Sequence, residues 1–386
     1  MLFVDAINLV KEFKQQANAV RGDIGTRVSQ KLDEVLNKNA GFGVLSDVAR
    51  VLQGNSCSLE PSNSPGVCKL LTQCQEIRDQ VVFSHKLPQT CGFEGTQAIV
   101  CCPKTRQPGY ISQIKCREYT SYTKEKQLCG HHIVKRVVGG VPTGRTDFPH
   151  MAALGFQIGF SDEYRWLCGG SLISEQYILT AAHCLFSRTD GEVKVVLLGV
   201  TNLNDTLPSH EKAIAEYIRH PEHKPPSNYH DIALVKLKKP IEISSYVRPV
   251  CLNTHFDIPV GKVIATGWGR THSGGASSED LLKVTLDITE YELCNKTYQA
   301  NRRLSRGIIN DLHICTGTGK EQKDTCQGDA GGPIQIYHNN DATSCMYDIV
   351  GVISFGKGCG SAPAVNTRVS HYIKWIEDIV WPQNSQ

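Results

Sequence analysis

The stretch Asp324-Thr325-Cys326-Gln327-Gly328-Asp329-Ala330-Gly331-Gly332-Pro333 decides how the rest of the chain is read. Its glycines let the backbone turn tightly and pass close to neighbouring groups. Taken alone it is an ordinary glycine-rich turn. Its meaning depends on what the remainder of the chain supplies.

With 386 residues the chain has length for two or more domains. A composition of 40% hydrophobic and 20% charged residues is that of a globular protein with a sizeable core. The net charge of +3 is spread out, with no dense basic run, which argues against nucleic acid and anionic membrane as partners. No apolar run is long enough to span a bilayer. The 16 cysteines are even in number and none has Cys-x-x-Cys spacing, which argues against zinc knuckles and redox motifs. Disulfides in an oxidising compartment, hence a secreted protein, are the expectation. Met1-Leu2-Phe3-Val4 runs into Asp5 without the apolar core of a signal peptide. We therefore expect a start at or near the mature N-terminus, with Met1 added for expression.

Residues 1–54 carry no cysteine, and Phe3, Ile7, Val10, Ala17, Ile24 and Val28 recur at helical spacings. An amphipathic helical extension is expected there, either covering its own chain or docking a partner. Residues 55–103 hold Cys57, Cys68, Cys74, Cys91, Cys101 and Cys102 with few large apolar side chains. So small a module needs disulfides as staples. Residues 104–136 read as a linker, from Pro108-Gly109 through polar residues, with isolated Cys116 and Cys129, to Lys135-Arg136. From 137 onward short apolar segments alternate with turn clusters: Ala152–Ile158, Gly170–Ile173, Tyr177–Thr180, Val193–Leu198, Ala233–Leu237, Val263–Thr266 and Ile349–Ser354. That spacing argues for an all-β sandwich or barrel. Tyr372, Ile373, Ile376, Ile379 and Val380 fit one face of a terminal helix.

Three separated motifs now converge. Gly328-Asp329-Ala330-Gly331-Gly332-Pro333 resembles the nucleophile loop of trypsin-like serine proteases, where the family reads Gly-Asp-Ser-Gly-Gly-Pro. Thr180-Ala181-Ala182-His183-Cys184 resembles the family's general-base segment, and His230-Asp231-Ile232-Ala233-Leu234 the segment whose aspartate orients that histidine. The resemblance implies a trypsin-like double β-barrel over residues 137–386. It makes His183 the general base, Asp231 the group that holds its tautomer, and the N–H groups of Gly328 and Ala330 the oxyanion donors. Alanine keeps the N–H and lacks the hydroxyl, so the acyl-enzyme route is closed. Losing such a nucleophile removes on the order of a million-fold in turnover.

The closing Val100-Cys101-Cys102-Pro103 and the six-cysteine spacing resemble the clip domain of arthropod serine proteases. That resemblance implies pairs Cys57–Cys101, Cys68–Cys91 and Cys74–Cys102; spacing alone leaves other arrangements open. Arg136 followed by Val137-Val138-Gly139-Gly140 resembles a zymogen activation site. A cut there frees an α-amino group on Val137 that can pair with Asp329. Because an unpartnered buried carboxylate is costly, this pairing can order the oxyanion loop.

The family pattern also implies a substrate pocket. Asp324 matches the carboxylate at its base, so a basic residue before the scissile bond is expected. Ser354-Phe355-Gly356 matches the strand that pairs with substrate backbone. Ala364 stands where the family has a pocket-lining glycine, which puts that preference in question. Expected bridges are Cys168–Cys184, Cys294–Cys315 and Cys326–Cys359. Cys251 resembles the residue that tethers the propiece; its partner is Cys116 or Cys129, with the other linker cysteine reaching Cys345. Asn204 and Asn295 head glycosylation sequons. No metal and no cofactor is expected. The partners implied are an upstream activating protease, a downstream zymogen or precursor substrate, and serpin inhibitors, in arthropod haemolymph. Two functional readings follow. One is an endopeptidase zymogen whose serine was exchanged to block self-cleavage; the other is a natural non-catalytic homologue acting as a binding cofactor or regulator.

Overall fold

The computed structural model describes residues 53–60, 63–84, 88–94, 97–104, 107–129, 141–205, 207, 209–269, 277–317, 329–357 and 362–382. The expected N-terminal extension up to residue 52, Arg136, Val137, Asp324, Gly328, Cys326 and Cys359 lie outside them. The chain divides into two compact units after Gln107.

In the first unit, β1 (Ser56–Leu59), β2 (Ser64–Leu70), β3 (Thr90–Glu94) and β4 (Gln97–Pro103) form an antiparallel sheet in the order β1-β2-β4-β3. Helix α1 (Gln75–Ser84) lies between β2 and β3 in the chain. Disulfides join Cys57 to Cys101, Cys68 to Cys91 and Cys74 to Cys102. The apolar core beneath them is small, centred on Ile77, Ile99 and Val100. Cross-links that limit the unfolded chain supply stability such a core lacks.

The second unit holds two closed antiparallel rings. The first contains β6 (Met151–Gln157), β7 (Tyr164–Leu172), β8 (Tyr177–Thr180), β10 (Gly191–Leu198), β11 (Glu211–Arg219) and β12 (Ala233–Leu237), closed by β10 on β11. A short β9 (Phe186–Ser187) extends β10. The second contains β14 (Lys262–Gly267), β15 (Leu282–Thr289), β16 (His313–Thr316), β17 (Pro333–Tyr337), β18 (Tyr347–Phe355) and β19 (Ala364–Arg368), closed by β18 on β19. Two short strands flank it: β5 (Val141–Pro142) on β15 and β13 (Cys251–Leu252) parallel to β18. This is the trypsin-like pair of six-stranded barrels. Closure leaves few unpaired edges. Tyr177–Thr180 and Ala233–Leu237 are strands to the residue, and the other expected segments differ at their ends by one to six residues. Strand β11 escapes sequence patterning because its Lys and Glu residues stand on a half-exposed ladder.

One expectation is corrected. Residues 104–136 are not a plain linker: Tyr110–Glu125 forms helix α2, with Tyr110, Ser112, Cys116, Tyr119 and Thr123 buried. Its apolar contribution packs with Cys251 and Met346. Two of its five buried positions are the small polar residues Ser112 and Thr123, so the apolar stripe is too thin to stand out in the sequence. The helix is fastened at both ends. The buried carboxylate of Glu377 accepts the N–H groups of Gly109 (3.0 Å) and Ser112 (2.7 Å), where a helix N-terminus has unpaired donors. Beyond the other end, Leu128 O accepts from the buried Arg248 guanidinium, which also donates to Ser245 O and Cys345 O. Glu377 belongs to the terminal helix α4 (Ile373–Val380), which buries Ile373, Ile376 and Val380. The remaining helix of this unit, α3 (Tyr291–Thr297), leads from β15 towards β16. The linker cysteines resolve as Cys116–Cys251 and Cys129–Cys345, and Cys168–Cys184 and Cys294–Cys315 are also bridged.

Candidate active site

His183 follows β8 on a short 3-10 turn, Ala182–Leu185, whose other side chains are buried; the Cys168–Cys184 bridge ties that turn to β7. Asp231 precedes β12, which pairs with β8. The two residues, far apart in sequence, meet here. Asp231 Oδ1 accepts the His183 backbone N–H at 2.9 Å, and Oδ2 lies 2.7 Å from His183 Nδ1. Ser354 Oγ donates to the same Oδ2, and Thr367 Oγ1 donates to the Asp231 carbonyl at 2.9 Å. The first barrel thus supplies the pair and the second barrel clamps it.

Asp231 is 4% exposed. Burial alone would raise its pKa, but His183 and the donors around the carboxylate hold it well below the usual range. Burial likewise disfavours the charged imidazole, and the Asp231 carboxylate outweighs it, so the His183 pKa is raised. Holding Nδ1 against a carboxylate leaves Nε2 to face outward as a proton acceptor.

Ala330 and the two glycines after it are held by backbone hydrogen bonds from both barrels. Gly169 N–H of β7 donates to the Ala330 carbonyl at 2.8 Å. Gly331 N–H donates to the Ile353 carbonyl at 2.8 Å, and Ile353 N–H donates back to Gly332 at 2.9 Å. Gly169 adjoins Cys168, bridged to the residue after His183; Ile353 adjoins Ser354, which holds Asp231. Gly331 has φ +79°, and a Cβ there would lie 2.2 Å from Thr180 Oγ1 and 2.5 Å from Gly169 O. Glycine is required by both conformation and space.

Asp329 turns away from this face: its Oδ1 accepts the Gly269 N–H at 2.8 Å, and a Cβ on Gly267 or Gly269 would strike the carboxylate. Phe355 packs its ring at 5.8 Å from Tyr298, and Gly356 follows it. Ala364 is 3% exposed in β19, opposite Thr316. Asn204 is exposed, whereas Asn295 is half-buried in α3, its Oδ1 accepting the Ile308 N–H at 3.1 Å. Sequence reading overlooks the roles of Gly169, Gly269 and Thr367. The adjacent glycines of Cys168-Gly169-Gly170 inside a strand signal a close backbone approach. Thr367 offers no such signal.

Comparison with known proteins agrees with this geometry. The profile described as Trypsin matches residues 137–376. Serine protease snk of Drosophila melanogaster is 37% identical over 394 residues, covering 96% of this chain and 89% of the relative. Phenoloxidase-activating factor 3 of Holotrichia diomphalia is 33% identical, covering 88% and 97%. CLIP domain-containing serine protease B4 of Anopheles gambiae is 31% identical, covering 93% and 100%. With its two barrels, its His183–Asp231 pair and these relatives, the chain belongs to the trypsin family of serine proteases, in its arthropod clip-domain branch.

Proposed function

We propose that this chain is a secreted endopeptidase zymogen of an extracellular proteolytic cascade, silent as written because Ala330 occupies the position of the attacking serine. The observation that carries the reading is the intact His183–Asp231–Ser354 array beside a strapped, glycine-bounded residue 330. A buried carboxylate is costly unless it is hydrogen-bonded, and His183 and Ser354 hold Asp231 in the arrangement a general base requires. Residues 55–103 act as the clip domain and residues 137–386 as the protease domain. Cleavage after Arg136 frees the Val137 amine for Asp329, Gly328 and residue 330 form the oxyanion hole, and Asp324 selects a basic residue before the scissile bond. The names of the relatives, a phenoloxidase-activating factor among them, support a downstream precursor as the substrate class. In the mechanism that follows, His183 takes the proton of a serine at 330 and returns it to the leaving amine while Asp231 stabilises the imidazolium.

The test restores Ala330→Ser, cuts after Arg136 and measures hydrolysis of arginine and lysine esters. Turnover confined to the cut serine form is expected. No gain over the alanine form refutes the protease reading. A second reading, a binding cofactor, is favoured by Ala330 itself; it requires the cut alanine form to promote processing of another zymogen in a reconstituted mixture.

A further inference from the structure

Loop 298–312, between α3 and β16, carries Asn301-Arg302-Arg303-Leu304-Ser305-Arg306. The three arginines are exposed, and none forms an ion pair among the described residues. The loop that presents them is built rigidly. Asn301 and Leu304 exchange backbone hydrogen bonds at 3.0 and 3.1 Å. Asn301 Oδ1 also accepts the N–H groups of Arg303 (2.8 Å) and Leu304 (3.1 Å). Leu304 is the anchor, 2% exposed, so the flanking arginines are turned to solvent.

Its placement is also defined. Asn228 N–H donates to the Arg303 carbonyl at 2.9 Å. Tyr229 Oη accepts the Arg306 N–H and donates to the Gly307 carbonyl, each at 2.8 Å. Tyr229 lies two residues before Asp231, so the arginine loop borders the candidate site. On its other flank, the Tyr298 ring contacts Phe355, and Lys357 Nζ lies 5.0 Å from the Tyr298 ring centroid. On the Asp231 side, the Glu222 carboxylate faces His230 Nε2 at 3.4 Å.

We infer that Arg302, Arg303 and Arg306 form a recognition rim for an acidic segment of the polypeptide substrate, on the N-terminal side of the scissile bond. The inference rests on the cleft reading above. A peptide antiparallel to Ser354-Phe355-Gly356 runs backwards as that strand runs forwards. Its residues upstream of the scissile bond therefore pass Gly356 and Lys357 towards the arginine loop. Guanidinium groups carried on this hydrogen-bonded loop beside that path favour carboxylates there. Such rim charges act through selectivity and association rate, and weaken with salt.

The experiment exploits Ala330, which lets peptides bind without being cut. The full chain, cleaved after Arg136, is titrated by fluorescence anisotropy with two labelled peptides. One contains a single arginine among neutral residues; the other has glutamates three and four positions before that arginine. A third probe is a sulfated oligosaccharide. The glutamates are expected to tighten binding about tenfold at low salt, a few-fold per exposed pair, and much less at high salt. Charge reversal, Arg302→Glu with Arg306→Glu, is expected to abolish that gain and to favour a peptide with lysines in place of the glutamates. That gain of binding guards against loss through misfolding. If the neutral peptide binds and glutamates add nothing, the rim is refuted while the cleft stands. If neither peptide binds, the cleft reading fails and takes the rim with it. Binding of the oligosaccharide alone, lost on charge reversal, assigns the arginines to a glycan and overturns the proposal.

Discussion

Gly331→Ala tests how residue 330 is held in place. An ideal Cβ on Gly331 lies 2.2 Å from Thr180 Oγ1, 2.5 Å from Gly169 O and 3.1 Å from Cys184 Sγ. The first two are roughly 1 Å inside ordinary contact, and Gly169 O belongs to a barrel strand that cannot rotate aside. The residue also has φ +79°, which a non-glycine residue adopts at a cost of about 1–2 kcal/mol. Overpacking adds about 1–3 kcal/mol, so a loss of about 2–5 kcal/mol is expected, a large share of a typical domain's stability. Denaturant unfolding of the uncut chain, followed by tryptophan fluorescence of the barrel unit, measures it. Repeating the substitution in Thr180→Ala separates the two clashes. That background removes the hydroxyl but leaves Gly169 O and the left-handed backbone, so it should recover less than half of the loss. A loss below about 0.5 kcal/mol, or full recovery with Thr180→Ala, would refute the claim that backbone and conformation dictate glycine there.

Asp231→Asn should lower the His183 pKa from its raised position, read by imidazole NMR in the alanine chain, where no turnover interferes. The raised His183 value stabilises the fold fully below the ordinary imidazole pKa and that contribution is lost as pH rises through the raised one; the lowered Asp231 value stabilises above the ordinary carboxylate pKa and is lost as pH falls through the lowered one. The stability gap between parent and variant is therefore widest near about pH 5 and narrows towards about pH 9. Glu377→Ala should expose the first turn of α2 to hydrogen exchange, costing about 1–3 kcal/mol, whereas a wholly solvent-held helix end would show no change. A chain cut after Arg136 should run as one species on a non-reducing denaturing gel and as two after reduction; Cys116→Ser alone should leave it joined through Cys129–Cys345. Release by that single substitution would contradict the second bridge.

What could be read from the chain and what could not divides along physical lines. Ala152–Leu154, Tyr177–Thr180 and Ala233–Leu237 are legible strands because their apolar residues are buried in the barrel. The edges of β7 and the whole of β11 are not, since half-exposed strands carry charges that hide the alternation. Helix α2 was illegible for the opposite reason: part of its buried face is polar, and Ser112 and Thr123 read as solvent residues. Glu377 reads the same way, and only the approach of Gly109 and Ser112 gives its carboxylate a reason to be inside.

The residues on their own determined the side chain that each motif carries: an imidazole after Ala181-Ala182, an acid before Ile232, and a methyl group at 330. They did so because turn geometry and side-chain type are local properties of a few neighbouring residues. Tertiary structure alone decided that Cys116 meets Cys251 and Cys129 meets Cys345, that Ser354 and Thr367 hold Asp231 from the second barrel, and that Gly169 and Ile353 strap residue 330 between them. Those partners are separated by tens to hundreds of residues. Which of them come together is set by how the barrels pack, and no local pattern records that.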